Sequence, residues 1–296
     1  NNYKVSGLQS LLLAPYSVWA LLFILVPLAF IAYYAFTDSN FNFTLDNVTK
    51  FFTATSSITD ESGAAQEVRT YLLIFWRSLK LAIISTVISL LMGYPMAYIM
   101  AQARPRVQKT MVTLIMIPMW MNFLIRTYAW MTILQDTGIF NGLLDMIGLG
   151  PVHIIGTEAA VVIGMVYDYL PFAILPIYTV LSKMDKSLVE AAKDLGASPF
   201  KAFLDVTLPL SKSGIASAVT MIFLPTTTSY VISDTLGNGN ITIIGKLIEN
   251  QFSSVFNWNM GSAIALILLV VIFGTMLCTG KFTDKEAMNS RGSGLW

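Results

Sequence analysis

From Ala159 the chain reads AAVVIGMVYDYLPFAILPIYTVL as far as Leu181, then SKMDKSLVEAAKDLGASPFKAFLDVTLPLSKS from Ser182 to Ser213, and turns apolar again at Gly214. As a helix the first run spans the roughly 30 Å hydrocarbon core of a bilayer, and its one charge is Asp168. The middle stretch is charged in nearly every turn and belongs in water. Working outward, the same alternation recurs along the chain. The apolar stretches are Leu11 to Phe36, Leu79 to Ala101, Thr110 to Leu134, Ala159 to Leu181, Gly214 to Ser233 and Gly261 to Gly280. The expected fold is therefore an all-α membrane protein with six transmembrane helices.

Composition demands the same solvent. Of 296 residues, 55% are apolar and 12% charged, against about 45–50% and about 25% in soluble domains. Barrel strands would alternate polar and apolar over about 10 residues, which these runs do not. The first run exceeds the apolar core of a cleaved signal peptide and lacks a small-residue cleavage site, so it reads as a retained span. Prolines 27, 95, 118, 171, 176 and 225 fall inside the runs. Membrane helices tolerate them because neighbours re-satisfy the freed carbonyls. The net charge of +1 gives no nucleic-acid footprint. One cysteine (Cys278) and one histidine (His153) exclude a disulfide framework and argue against a metal or haem site.

Lysine and arginine set the orientation. With the N-terminus inside, the inner segments hold Lys4; Arg104, Arg106 and Lys109; Lys183, Lys186, Lys193, Lys201 and Lys212; and Lys281, Lys285 and Arg291. The outer segments hold only Lys50, Arg69, Arg77, Lys80 and Lys246. The positive-inside rule then puts both termini in the cytoplasm. The chain divides into residues 1–36 (N-terminal segment and first span), 37–70 (external loop), 71–281 (a five-helix core carrying the inner loop 182–213) and 282–296 (cytoplasmic tail). The closing RGSGLW reads as a shortened or foreign end.

Within the inner loop, Ser187 and Glu190 have the S-x-x-E spacing of a capping box, and Gly196 suits a helix stop. Ser198-Pro199 breaks the chain. A second short helix is expected over Phe200 to Val206, closed by Leu208-Pro209. Such a unit serves equally as a plain connector. Its spacing is more particular: Glu190-Ala191-Ala192, then Gly196, then Val206-Thr207-Leu208-Pro209. This resembles the EAA loop of importer permeases of the ATP-binding-cassette superfamily, with valine at 206 where isoleucine is commoner. The resemblance implies a type I importer permease fold and a coupling helix that inserts into a groove of an ATPase subunit, with Glu190, Ala191, Ala192, Gly196 and Pro209 carrying the coupling.

The ATPase lies elsewhere, and the chain is not itself an enzyme. A phosphate loop needs G-x-x-x-x-G-K-[ST]. The stretch GNITIIGKL, Gly239 to Leu247, has its first glycine one residue too far away and leucine after the lysine. No cofactor is expected on this chain; ATP and Mg belong to the partner ATPase subunits.

Ionisable residues inside spans are costly and face a cavity or each other. Arg126 and Asp168 lie at matching depths, roughly 12 and 15 Å from the outer ends of their spans. Two readings stay open: an ion pair joining spans three and four, or a pathway carboxylate at Asp168 that draws in a cation. Tyr167, Tyr169, Trp120, Asn122, Tyr128 and Trp130 surround these positions in sequence, and aromatic faces with a carboxylate suit an alkylammonium. Trp19, Trp76 and Trp258 read as interfacial anchors. Tyr230 and Asp234 continue a polar path outward, ending in the turn residues Gly237-Asn238-Gly239-Asn240.

The runs IPMWMNFLIRTYAW, VYDYLPFAILPIY, EAAKDLGASPF, SYVISDTLGNGN, IGKLIENQF and WNMGSA are similar to the spermidine/putrescine importer permeases of the first-permease type. That likeness covers almost the whole chain. It implies a bacterial inner-membrane location and a partner set of a second homologous permease, two ATPase subunits and an extracytoplasmic polyamine-binding protein. The loop 37–70, with more carboxylates than cations, serves as a docking surface or a solvated linker. Another solute of the same importer class remains an alternative. An ion-coupled secondary transporter is a competitor, but it would use more intramembrane carboxylates and repeated halves. A membrane enzyme would need a nucleophile or metal set that is missing.

Overall fold

The computed structural model describes residues 15–59 and 65–292. Lys4, the start of the first expected span, the tip of the outer loop and the last four residues of the tail lie outside them. Helices dominate: α1 (Pro15–Ala35), α2 (Asp46–Thr53), α3 (Thr70–Gln102), α4 (Pro105–Trp120), α5 (Phe123–Leu134), α6 (Ile139–Met146) and α7 (Glu158–Lys183). They continue with α8 (Lys186–Asp194), α9 (Pro199–Leu210), α10 (Lys212–Thr228), α11 (Tyr230–Leu236), α12 (Ile244–Ser253) and α13 (Trp258–Gly292). The segment between α2 and α3 adds a short hairpin, β1 (Thr55–Thr59) and β2 (Ala65–Arg69), antiparallel with Thr55 opposite Arg69.

Helices α1, α3, α7 and the Trp258–Gly280 part of α13 are each long and apolar enough to cross a membrane. Two bent helix pairs are also long and apolar enough, which brings the number of crossings to six if each pair is one span. The third expected span, read as one run from Thr110 to Leu134, is broken: α4 and the stretch Phe123–Met146 meet at 91°. The fifth, read from Gly214 to Ser233, ends its helix at Thr228 and resumes at Tyr230 after a non-helical Ser229. Apolar periodicity cannot reveal either break, because each lies within one long run of mainly apolar residues.

Prolines act in three ways. Pro95, Pro171, Pro176 and Pro225 sit inside continuous helices. Pro27 and Pro209 each follow a widened π-turn, Leu21–Leu25 and Phe203–Thr207. The wider turn relieves the clash between the proline ring and the carbonyl four residues back. Pro118 precedes a true break.

The chain forms two compact units, residues 74–246 with 272–296, and residues 1–73 with 247–271. In the larger, α3 lays a stripe of small residues at every fourth position, Ser85, Ser89, Gly93, Ala97 and Ala101, all buried. A β-carbon on Gly93 would lie 2.6 Å from that of Ala173 on α7, so the two backbones approach as only small residues allow. Gly164 is equally tight, with no room for a β-carbon beside Leu236. One core gathers Leu81, Val161, Met165, Ile232, Leu236 and Ile243, and a second gathers Met100, Ile174, Ile177, Leu181 and Ala218.

In the smaller unit, two asparagine amides cap the end of α1, whose last carbonyls have no helical partner. Asn47 Nδ2 donates to Thr37 O (2.9 Å) and Ala35 O (3.3 Å), and Asn259 Nδ2 to Thr37 O (2.7 Å) and Tyr34 O (3.2 Å). Asp38 accepts backbone bonds from Asn42 and Asn40, which hold its carboxyl below its ordinary value.

Candidate functional site

The charged loop between α7 and α10 is built as two short helices. Helix α8 starts two residues earlier than the capping-box spacing suggested. Asp185 is its N-cap, with Oδ1 accepting from Ser187 N–H at 3.0 Å, and Ser187 lies in the first turn. Aspartate caps as well as serine does, and here it comes first. The bonds from Ser187 hold the Asp185 carboxyl below its ordinary value. At the other end Gly196 adopts φ +88, with Ala197 N–H donating to Ala192 O and Gly196 N–H to Lys193 O. This is a Schellman stop, and glycine is there for its left-handed backbone: open space surrounds its missing β-carbon.

Glu190 and Ala191 are exposed, and no cation among the described residues reaches Glu190. Leu195 (90% exposed), Phe200 and Leu188 add an uncovered apolar tip to an otherwise charged loop. Ser198 caps α9, with Pro199 as its first residue. The helix runs on through the π-turn to Leu210, longer than the expected Phe200 to Val206, and Pro209 lies in its last turn.

The break in the third span is held by side chains the sequence had singled out. After Trp120, Met121 and Asn122 are extended, and Asn122 Oδ1 caps α5 by accepting from Leu124 N–H (2.9 Å) and Ile125 N–H (3.4 Å). Arg126, in the first turn of α5, reaches back across the break. Its Nη1 donates to Pro118 O at 2.9 Å, and its Nη2 lies 3.1 Å from Asp168 Oδ1. The guanidinium thus adds a second bond to a carbonyl that already accepts from Met121 N–H, and it brings positive charge to the negative end of α4. Asp168 is turned onto Arg126 with its side chain 2% exposed, so its carboxylate is not presented to an open path within this chain.

Trp120 (77% exposed) and Tyr128 (57%) stay uncovered beside the break. Trp130 packs edge-on against Tyr167 at 5.1 Å, and the Tyr169 hydroxyl donates to Ser229 Oγ at 3.1 Å, at the break in the fifth span. On α11, which packs against α5, Tyr230 is exposed and Asp234 pairs with Lys246 at 3.4 Å. No hydrogen bond or ion pair among the described residues links Tyr230 or Asp234 to Trp120, Asn122 or Tyr128. The false phosphate motif is accounted for differently. Asn238 and Gly239, both at positive φ, form a turn closed by Asn240 N–H to Gly237 O. Gly245 is pressed against the Thr228 carbonyl.

Residues 93–278 match the family described as binding-protein-dependent transport system inner membrane component. The Haemophilus influenzae spermidine/putrescine transport system permease protein PotB is 35% identical over 262 residues, 86% of each chain. The Escherichia coli protein of the same name is 33% identical over 267 residues, 88% of this chain and 91% of that one. Among solved structures, a bacterial transporter that imports the acidic polysaccharide alginate superposes with TM-score 0.74 at 16% identity, over 94% of this chain and 95% of that one. The same fold appears at TM-score 0.75 in a complex with an alginate pentasaccharide-bound periplasmic protein. Apolar helices enough for several crossings and a capped, charged loop thus meet a family match over most of the chain: it belongs to the inner-membrane components of binding-protein-dependent transport systems and is a multi-pass permease of an ATP-binding-cassette importer.

Proposed function

We propose that this permease passes a cationic polyamine of the spermidine or putrescine kind. The observation that carries the reading is identity of 33–35% over most of the chain to permeases named for those solutes. The exposed aromatics Trp120 and Tyr128 beside the broken third span support it, since uncovered rings attract ammonium groups. Asn122, Tyr230 and Asp234 complete the proposed path. Asp168 serves it indirectly, by neutralising Arg126, which would otherwise repel a cation.

In the same proposal both termini are cytoplasmic, so α8 and α9 face the cytoplasm. Glu190, Ala191, Ala192, Gly196 and Pro209 form the coupling element, with Leu188, Leu195 and Phe200 as the apolar contact that an ATPase groove covers. A second homologous permease, two ATPase subunits that bind ATP and Mg, and an extracytoplasmic polyamine-binding protein complete the complex.

The test is radiolabelled spermidine uptake by proteoliposomes holding the complete complex. Wild type should import spermidine, Trp120→Ala should slow uptake by about tenfold, the scale of one lost desolvated cation–π contact, and Glu190→Ala should assemble but not transport. A wild-type complex that hydrolyses ATP but imports no polyamine would sink the substrate assignment and leave the importer class standing.

A further inference from the structure

The coupling helix packs mainly on the other helix of its own loop rather than on the spans it is proposed to move. Helix α8 rests on α9. Between α8 and the inner ends of α3 and α7 lies a cavity of about 290 Å³, lined among others by Gln102, Met184, Val189 and Glu190. That half-open space leaves α8 loosely packed against the ends of α3 and α7.

The solid connection runs through Phe203. This residue opens the π-turn of α9, with Leu208 N–H closing the wide turn on its carbonyl. Its ring meets Tyr94 edge-on (centroids 5.7 Å apart, planes at 85°) and Tyr98 likewise (5.5 Å, 81°). Tyr94 and Tyr98 are one turn apart on α3, and Pro95 lies between them, where the helix lacks a backbone hydrogen bond and bends most easily. A further tie fixes the same place: the Tyr94 hydroxyl is 2.8 Å from Ser211 Oγ, at the 63° bend between α9 and α10. The buried neighbours Ala202 and Thr207 keep α9 packed around this wedge.

We infer that Phe203 is the positioning residue through which movement of the coupling helix reaches the second span, its ring bearing on Tyr94 and Tyr98 at the Pro95 bend. The inference rests on the coupling role proposed for α8. Edge-to-face aromatic pairs are directional as well as apolar, so the ring holds α9 to one angle against α3. The ring supplies packed contact between α9 and α3 beside the open space under α8.

The test is the number of ATP molecules hydrolysed per solute imported, measured on the complete complex in proteoliposomes with its binding protein. Phe203→Ala should assemble with both ATPases and still hydrolyse ATP, with the ratio raised at least about fivefold, the scale of two lost aromatic contacts. Phe203→Tyr should restore the wild-type ratio within about twofold, since it keeps the ring and loses little. An unchanged ratio in Phe203→Ala, or a parallel fall in hydrolysis and uptake, overturns the inference. If Phe203→Ala does not assemble, Phe203→Leu keeps apolar bulk without the edge-on ring, and the same two outcomes decide. Glu190→Ala in the same assay separates the levels. If it abolishes uptake while Phe203→Ala behaves as wild type, only Phe203 is wrong; if both import normally, coupling through the loop is wrong as well.

Discussion

Arg126 and Asp168 meet at 3.1 Å between a broken helix and an unbroken one, and the same guanidinium caps Pro118 O on the far side of the break. The pair is therefore part of how a right-angled bend survives inside a span. Breaking a buried pair from one side costs about 3–5 kcal/mol, because the remaining charge stays buried and alone. Asp168→Leu should lower the melting temperature of the purified permease complex more than the double variant Arg126→Leu with Asp168→Leu does. Arg126→Lys should fall between them, since an ammonium lacks the planar fork that reaches both Pro118 O and the carboxylate. Equal melting of Asp168→Leu and wild type would show that the pair holds nothing.

Gly196 predicts a sharper result than its neighbours. At φ +88 an alanine pays about 1–2 kcal/mol in backbone strain, whereas asparagine tolerates the left-handed region better. Gly196→Ala should loosen the end of α8 and reduce uptake more than Gly196→Asn. Open space around the site rules out a packing cause within the chain. Identical uptake in the two variants would refute the conformational argument.

Close approach of α3 and α7 is testable by exchange. A β-carbon at Gly93 meets Ala173 at 2.6 Å, and overpacking of this kind costs about 1–3 kcal/mol. Gly93→Ala should destabilise the complex in a thermal melt, and adding Ala173→Gly should recover most of the loss. Additive destabilisation by the two changes would place the tight contact elsewhere.

The Asp185 cap carries a pH dependence whose sign is fixed. Its carboxyl is held below the ordinary 3.8 by the bonds from Ser187. Its contribution to helix α8 is thus present above pH 3.8 and is lost as the pH falls through the lower, folded value. Hydrogen exchange of the amides following Asp185 should accelerate, relative to a distant span, only below that range. In Asp185→Asn the step should vanish. Persistence of the step in that variant would assign it to another group.

Much of this architecture was legible in the residues. The apolar runs located the crossings because a bilayer core accepts little else, and α7 matches its run almost end to end, Glu158–Lys183 against Ala159 to Leu181. Gly196 announced the helix stop. The start of α8 was misjudged because two residues of equal capping strength, Asp185 and Ser187, lie within one turn. The small-residue stripe on α3 went unread, although Ser85, Ser89, Gly93, Ala97 and Ala101 recur at every fourth position and carry the signal plainly.

What the sequence determined by itself was composition and membership: which segments are apolar enough to cross a membrane, which loop is charged, and the importer family. Those are properties of composition and of local spacing, and a chain carries them wherever it folds. The tertiary structure alone decided that Arg126 closes a break onto Pro118 and Asp168, and that Phe203 rests on Tyr94 and Tyr98. Each of these joins residues from different helices, and no periodicity within one helix says which partner a side chain will find when the spans pack.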